Sequence, residues 1–295
     1  MKQLYVIIVL SALALVTTAP VFRSGTTQWH VCSDGCEFTR IQAAVDAAAP
    51  GDAINIEPGT YRENVIIDQS LRLLGDRDQP GGVRLIASNE DSPTLLVEST
   101  EAVHLSGLTV EAGTADGTAV TVTDAEVTLA NNIISGTFRA ISFTKTIYVT
   151  NTRISSPRAG IIVLGRGRVE ITGSHVEDAG TGIVIGGQVE VYLSESLITE
   201  NFDGIIASGN ATVGLRENRI KGNYGTGIWL ANQAKLNLIA NRILDNEWGL
   251  ALRQPPCADG GNGSTEFGGS VSGSNNSFDN RVGNFCPASF DWPPL

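Results

Sequence analysis

One stretch decides the fold: VEITGSHVEDAGTGIVI, residues 169 to 185, opens on an apolar-x-apolar triplet and closes on a Gly-Ile-x-Ile run. The same pattern recurs along the chain at steps of 20 to 24 residues. The triplets begin at Val103, Val127, Ile147, Val169, Val191, Val213 and Leu236. Such a repeat is typical of solenoid proteins, whose units bury their apolar side chains only by stacking on one another.

Two other positions repeat in register with the triplets. The seventh residue after each triplet start is aliphatic, as at Val176, and the fifth is usually Asn, Ser or Thr. Three short strands with period-two alternation therefore fit into about 22 residues, which is one coil of a β-solenoid. The polar column predicts a hydrogen-bonded ladder inside a turn. It comprises Asn132, Thr152, Ser174, Ser196, Asn218 and Asn241.

The composition restricts the possible partners and cofactors. The chain has 295 residues and a net charge of −11, which argues against nucleic acid because that partner needs a basic surface. His30, His104 and His175 are scattered, and no EF-hand loop is present, so we predict no metal or cofactor.

Four cysteines lie outside the repeats. An even count of this kind predicts two disulfides, one between Cys32 and Cys36 and one between Cys257 and Cys286, in an oxidising compartment. A zinc site is the alternative, but it needs paired short spacings that Cys257 and Cys286 do not provide.

The N-terminal region resembles an export segment followed by a cap. Residues 1–22 carry Lys2 and an apolar run, which predicts a signal peptide or, since Pro20 follows the best cleavage site, an uncleaved anchor. Residues 23–36 are predicted to be a linker with a small disulfide loop. Residues 39–49 are predicted to form an amphipathic helix, with a capping box from Thr39 to Gln42, that covers the first coil.

The segment FTRIQAAVDAAAPGDAINIEPGTYRENV, residues 38–65, together with the later repeats, resembles the pectin-lyase-like superfamily of right-handed parallel β-helix proteins. The resemblance covers roughly residues 36 to 252 and implies one all-β domain of about nine coils over 37–252. A loop-rich tail would follow over 253–295. It also implies that the Gly-Ile-x-Ile strands form the sheet along which the superfamily's enzymes bind polysaccharide. The superfamily includes lyases, hydrolases, esterases and adhesins, so it implies no single activity. The resemblance implies calcium only if the chain is a lyase, since a calcium lyase of the superfamily uses acids from successive coils, for which Asp178, Glu200 and Asp203 are a loose counterpart.

The outward positions of the Gly-Ile-x-Ile strands are mostly apolar in this chain, where the superfamily's enzymes carry charged groups. We assign them to Ser142, Ile162, Val184, Ile206, Trp229 and Ala251. One interpretation is that the tail folds back and covers them, since an exposed apolar stripe promotes aggregation. The other is a sugar-binding platform that comprises Asp203, Tyr224, Trp229, Trp248 and Arg253.

Three further sets of side chains are candidates, each with a simpler explanation. Tyr148, Glu170 and Tyr192 form a predicted outward column, but aromatic residues are also ordinary strand formers. A basic column is interrupted by Leu197 and is compatible with a solvated surface; it comprises Arg153, His175, Arg219 and Arg242. Glu200 and Asp203 share a turn and are weak candidates for paired catalytic acids, although acids are common in solenoid turns.

The sequence therefore predicts an exported β-helix, secreted or extracytoplasmic, that binds a carbohydrate or another cell-surface component without catalysis. A polysaccharide lyase or glycoside hydrolase is the first alternative, and a structural spacer is the second. Contact with a membrane is expected only through an uncleaved N-terminal segment.

Overall fold

The structure, a computed structural model, describes residues 26–76, 82–99, 101–141, 143–252, 267–288 and 291–295. In chain order its elements are β1 Gln28–Val31, α1 Ile41–Ala47, β2 Ala53–Ile56, β3 Gly59–Arg62, β4 Val65–Ile67, β5 Leu71–Leu74, β6 Val83–Ile86, β7 Leu95–Val97, β8 Ala102–Ser106, β9 Leu108–Glu111, β10 Thr118–Thr123, β11 Glu126–Ala130, β12 Ile133–Ser135, β13 Thr137–Ile141, β14 Thr146–Thr150, β15 Arg153–Ser155, β16 Ala159–Thr172, β17 His175–Glu177, β18 Thr181–Ser194, β19 Leu197–Thr199, β20 Asp203–Ala207, β21 Thr212–Arg216, β22 Arg219–Lys221, β23 Thr226–Leu230, β24 Lys235–Ile239, β25 Arg242–Leu244, β26 Trp248–Ala251, β27 Ser270–Ser274, β28 Ser277–Asp279 and β29 Gly283–Cys286.

Each coil contributes one strand to each of three parallel sheets. The first sheet contains β2, β5, β8, β11, β14, β21, β24 and β27, and the second contains β3, β6, β9, β12, β15, β17, β19, β22, β25 and β28. The third contains β4, β7, β10, β13, β20, β23, β26 and β29, while β16 and β18 each run from the third sheet into the first. The prediction of an all-β parallel solenoid with one short helix is confirmed.

The apolar positions of the repeat point into a continuous core. Val169, Ile171, Val176, Ile183 and Ile185 are no more than 1% exposed. Their neighbours on adjacent coils are equally buried, because the parallel register stacks like positions about 4.8 Å apart. A single repeat unit is therefore stable only when neighbouring coils cover its apolar side chains.

The predicted polar ladder is present between the first and second sheets. Each member accepts a hydrogen bond from the backbone N–H of the preceding member, as where Ser196 N donates to Asn218 Oδ1 over 3.0 Å. The ladder begins at Asn132 and continues beyond the predicted column to Asn276 in the tail. It satisfies turn amides that would otherwise be buried without partners.

The N-terminal region is more ordered than the predicted linker. Strand β1 pairs in parallel with β2, and Trp29 Nε1 donates to Asp52 Oδ2 over 3.0 Å. Cys32 and Cys36 form the predicted disulfide, with Cα atoms 5.6 Å apart. Of the predicted pair Cys257 and Cys286, Cys286 is disulfide-bonded, and Cys257 lies outside the described residues.

The cap helix is present, but its predicted capping box is wrong. Helix α1 spans Ile41–Ala47 and its N-cap is Arg40, whose side chain makes no capping hydrogen bond. Instead the Glu63 carboxylate accepts from the backbone N–H groups of Ile41 and Gln42, over 2.8 and 3.1 Å. A buried acid from the first coil therefore stabilises the helix N-terminus, where negative charge is favourable.

The tail after residue 252 was predicted to be loop-rich, yet its described part adds a tenth coil through β27, β28 and β29. The Phe285 ring contacts the tilted rings of Phe278 and Trp292 at centroid distances of 4.9 Å, and these rings pack against the core. The aromatic side chains therefore close the C-terminal end of the solenoid, where open strands and core would otherwise face water.

Within the described ranges, no helix is long and apolar enough to cross a membrane. The predicted export segment, residues 1–22, lies outside those ranges.

Candidate functional site

A second asparagine ladder organises the turn between the second and third sheets. Asn201, Asn223, Asn246 and Asn280 are stacked here, and each amide accepts from the member before it, as where Asn201 N donates to Asn223 Oδ1 over 3.1 Å. Sequence reasoning missed this ladder. Its signal is an Asn ten residues after the triplets that begin at Val191, Val213 and Leu236.

Two exposed aromatic side chains lie next to this ladder. Phe202 and Tyr224 come directly after Asn201 and Asn223, and they are 63% and 64% exposed. They lie on adjacent coils, because Tyr224 N donates to Asn201 O over 2.9 Å and Gly225 N donates to Phe202 O over 2.6 Å. Neighbouring exposed rings on a rigid turn are a typical platform for a sugar or another flat apolar ligand.

Asp203 lies beside these rings at the start of β20. Its Oδ1 accepts from the backbone N–H of Thr226 over 2.8 Å. Burial raises the pKa of the Asp203 carboxyl, and the negative charge of Glu247 raises this pKa further, while the Thr226 hydrogen bond acts in the opposite direction. A Cβ at Gly225 would lie 2.6 Å from Asp203 Oδ1, so glycine is what allows the carboxylate to approach the turn.

Two contacts hold the neighbouring turns in place. Arg281 reaches back and donates to the backbone oxygens of Asn223 and Tyr224 over 2.8 and 3.0 Å. The half-buried ring of Trp248 lies against Gly283 of the last coil, where a Cβ would be 2.5 Å from it. We call the group Phe202, Asp203, Tyr224, Glu247 and Trp248 the aromatic edge.

The outer face of the third sheet is mostly apolar, as predicted, although the register differs at one coil, which contributes an arginine. Arg139, not Ser142, pairs with Ile162, because β13 aligns Phe138 with Ile161. Ser142 itself lies outside the described residues. The column continues through Val184, Ile206, Trp229, Ala251 and Cys286.

Trp229 is half-buried in this column, whereas Tyr224 is on the turn, so the predicted platform is divided between two surfaces. The described strands of the tail, β27, β28 and β29, extend the stack. Arg253, the remaining platform residue, lies outside the described part of the chain.

The predicted acidic turn residues have a backbone role in the structure. Glu200 and Asp178 are exposed and adopt left-handed φ angles of 58° and 53°. Glu200 directly precedes Asn201 of the second ladder, and Asp178 directly precedes Ala179, whose backbone N–H donates to Asn201 Oδ1. Asp and Asn tolerate this conformation better than most residues, and Glu pays a steric cost for it. The carboxylate that acts electrostatically on Asp203 is that of Glu247, which sequence reasoning did not single out.

The other two predicted columns are present. Tyr148, Glu170 and Tyr192 are neighbours on the outer face of the first sheet. In the basic column, Arg153 pairs with Glu177, and His175 Nε2 lies 3.0 Å from Glu177 Oε2. The rest of that column follows through Leu197, Arg219 and Arg242. Among the described residues, no group of three or more His, Cys, Asp or Glu side chains could hold a metal ion.

Comparison with known proteins identifies the architecture. The family model described as "right handed beta helix region" matches residues 139–289. No curated protein sequence matches the chain.

Solved structures share the fold at low identity. An alginate lyase from Paenibacillus sp. is 14% identical with a TM-score of 0.58, covering 88% of this chain and 97% of its own. The pectin methylesterase PemA from Erwinia chrysanthemi is 11% identical with a TM-score of 0.54, covering 74% and 90%. The pectate lyase Pel9A is 16% identical with a TM-score of 0.52, covering 92% and 82%. Likeness at this level of identity concerns the fold alone.

Proposed function

From the premise that the chain belongs to the right-handed β-helix family, we propose that it binds a carbohydrate through the aromatic edge. The observation that carries this proposal is the exposure of Phe202 and Tyr224 on adjacent coils beside Asp203. Aromatic rings offer sugar rings an apolar face, and a neighbouring carboxylate accepts hydrogen bonds from hydroxyl groups. The solenoid supplies a rigid support, so little conformational entropy is lost on binding.

The aromatic edge also fits an extended ligand. Successive coils repeat the turn about every 4.8 Å, so a chain that lies along the solenoid axis meets Phe202, Tyr224 and Glu247 in sequence. The similar structures include enzymes named for alginate, pectate and pectin. That these are all polysaccharides supports a polysaccharide as the class of ligand.

The direct test is retention of the purified full chain on a panel of neutral and acidic polysaccharides, followed by affinity electrophoresis. Phe202→Ala/Tyr224→Ala is expected to reduce retention on a bound neutral polysaccharide at least tenfold. Tyr148→Ala is the matched control, because it removes an exposed aromatic side chain from the first sheet and should leave retention unchanged. Equal loss in both variants, or no retention of the wild-type chain by any polysaccharide, would contradict the proposal, and the latter would favour a structural spacer.

Cleavage of the polysaccharide is a second candidate function, favoured by the raised pKa of Asp203 beside Glu247. Glycoside cleavage needs a carboxyl group that keeps its proton, and a raised pKa suits Asp203 to the role of that acid, with Glu247 as the second acidic residue. The same incubations should be assayed for new reducing ends and unsaturated products. Cleavage that Asp203→Asn abolishes would replace the binding proposal with an enzymatic one, and retention without cleavage supports binding alone.

We also propose an extracytoplasmic location. The disulfide between Cys32 and Cys36 supports it, since such bonds persist in oxidising compartments. Fractionation of expressing cells tests this, and recovery of the chain from the cytosol with free thiols would contradict it.

A further inference from the structure

A groove on the outer face of the first sheet lies away from the aromatic edge and has no part in the proposed function. It has a volume of about 470 Å³ and crosses β18, β21, β24 and β27. Its floor follows the column Tyr192, Gly214, Asn237 and Ser272. Ligand sites commonly have volumes of about 300–1,000 Å³, so the groove is large enough to hold part of a chain molecule.

Gly214 creates the depression. It replaces a side chain in the middle of an outward column, and a Cβ there would lie only 2.8 Å from Cδ1 of the Tyr192 ring. Backbone strain does not require this glycine, since its φ angle is not in the left-handed region. The glycine therefore lets the Tyr192 ring pack over the strand, in the place that a side chain would otherwise occupy.

Tyr192 is held in a fixed position at one end of the groove. The guanidinium carbon of Arg168 lies 4.3 Å from the ring centroid, and Arg168 is in turn bound to Glu170 over 2.7 Å. The tyrosine hydroxyl lies 3.5 Å from Glu190 Oε2. The ring is still 37% exposed, so a preorganised aromatic surface remains available to a ligand.

The charge of the groove is opposite to that of the protein. Among the described residues that line it, Arg216 and Lys235 are basic and none is acidic, although the chain carries a net charge of −11. Lys235 forms no salt bridge within the described ranges, and the Arg216–Glu217 pair is exposed. Exposed pairs of this kind contribute little, so a ligand anion can replace Glu217 at low cost.

The remaining lining groups suit a hydroxylated ligand. Asn237 Nδ2 donates to Ser272 Oγ over 2.9 Å, and Ser194, Thr212 and Ser270 contribute further hydroxyl groups. Ile239, 41% exposed, adds an apolar contact on the side opposite Lys235 along the same strand. We propose that this groove is a second binding site and that its ligand is an anionic oligosaccharide.

In this proposal the acid groups of the ligand pair with Lys235 and Arg216. A sugar ring contacts the exposed part of the Tyr192 ring, which packs over Gly214, and the ligand hydroxyls bond to Asn237 and the neighbouring serines. The two sites would allow one solenoid to join two glycan chains, or two parts of one chain, on different faces.

The test is isothermal titration of the full chain with a hexamer of β-1,4-linked glucuronate and with cellohexaose, its uncharged counterpart. The glucuronate hexamer is expected to bind at least tenfold more tightly. Arg216→Ala/Lys235→Ala and, separately, Gly214→Val should each weaken its binding at least tenfold. Arg219→Ala/Arg242→Ala is the matched control, because it removes the same charge from the second sheet and should retain more than half of the affinity.

Four outcomes would overturn the proposal. Equal affinity for both hexamers would remove the role of charge, and equal loss in the control variant would reduce the effect to the net charge of the protein. Tighter binding of a glutamate peptide of similar length would make the ligand a polypeptide. Binding that persists in Phe202→Ala/Tyr224→Ala separates this site from the aromatic edge, and its loss in that variant would contradict an independent groove.

Discussion

At the residue scale, the chemistry of the candidate site centres on Asp203. Its carboxylate is half-buried, accepts one backbone hydrogen bond from Thr226 and lies near the charge of Glu247. Gly225 makes this arrangement possible, because any Cβ there would meet Asp203 Oδ1. The Asp203 side chain can act through its charge or through its hydrogen bond with Thr226, and a substitution can separate these two roles.

Asp203→Asn keeps an oxygen acceptor for Thr226 and removes the charge. Because burial and Glu247 raise the pKa of Asp203 in the folded protein, the fold binds this proton more tightly than the unfolded chain, whose aspartate has a pKa of about 3.9. Wild-type stability therefore falls as pH rises through the folded-state pKa. We expect Asp203→Asn to unfold at a higher temperature than wild type at neutral pH.

The higher unfolding temperature of Asp203→Asn should vanish at a pH below the pKa of the unfolded aspartate, because Asp203 is then protonated and as neutral as the asparagine. Thermal unfolding between acidic and neutral pH measures it. A variant that is less stable than wild type at neutral pH would show that the carboxylate charge stabilises the fold.

Sequence reasoning at this scale found some residues and missed others. The apolar side chains between Val169 and Ile185 point into the core as predicted, because period-two alternation dictates which side chains enter it. Phe202 was missed, because a single aromatic residue in a turn gives no periodic signal. Ser142 was assigned to the wrong column, because its coil is shorter than the next one: Phe138 lies 11 residues after Val127, whereas its partner Ile161 lies 14 residues after Ile147.

At the element scale, the ladders convert turns into ordered columns. Asn218 is fully buried, accepts from Ser196 N over 3.0 Å, and donates to Leu193 O over 2.8 Å and to Asn241 Oδ1 over 3.0 Å. The first ladder was predictable from its spacing. Capping of α1 by Glu63 was not, since the partners are 22 residues apart and only the folded coil brings them together.

Asn218→Ala is expected to lower the free energy of unfolding by about 3 kcal/mol, because it leaves buried donors and acceptors without partners. Asn237→Ala is the control, since Asn237 is exposed and its hydrogen bond to Ser272 lies on the surface. It should change stability by no more than about 0.5 kcal/mol. Urea unfolding of both variants measures the difference, and similar values would mean that the ladder does not stabilise the turns.

At the scale of the whole molecule, the solenoid is stabilised by contacts between adjacent coils and by its two ends. The N-terminal end is covered by α1 and the C-terminal end by Phe285, Trp292 and Leu295. The sequence indicated the first cap by a helical pattern. It gave no comparable signal for the tenth coil, because β27 and β28 have few aliphatic residues and follow an insertion that breaks the spacing.

Trp292→Ala should therefore affect one end of the molecule. Loss of its contact with Phe285 is expected to cost about 2 kcal/mol locally, and coils of a solenoid open from their ends. Hydrogen exchange should become faster over residues 270–286 and stay unchanged over residues 169–185. Equal acceleration in both segments would show that the stack unfolds as one unit.

Binding of a polysaccharide at the aromatic edge can be tested by hydrogen-exchange footprinting with a neutral polysaccharide that retains the protein. A neutral ligand is used so that the cationic groove on the first sheet is not engaged. We predict slower exchange over residues 201–205 and 223–229, with no change over residues 146–150 on the first sheet. Protection confined to other surfaces, with none at Phe202 and Tyr224, would contradict this account.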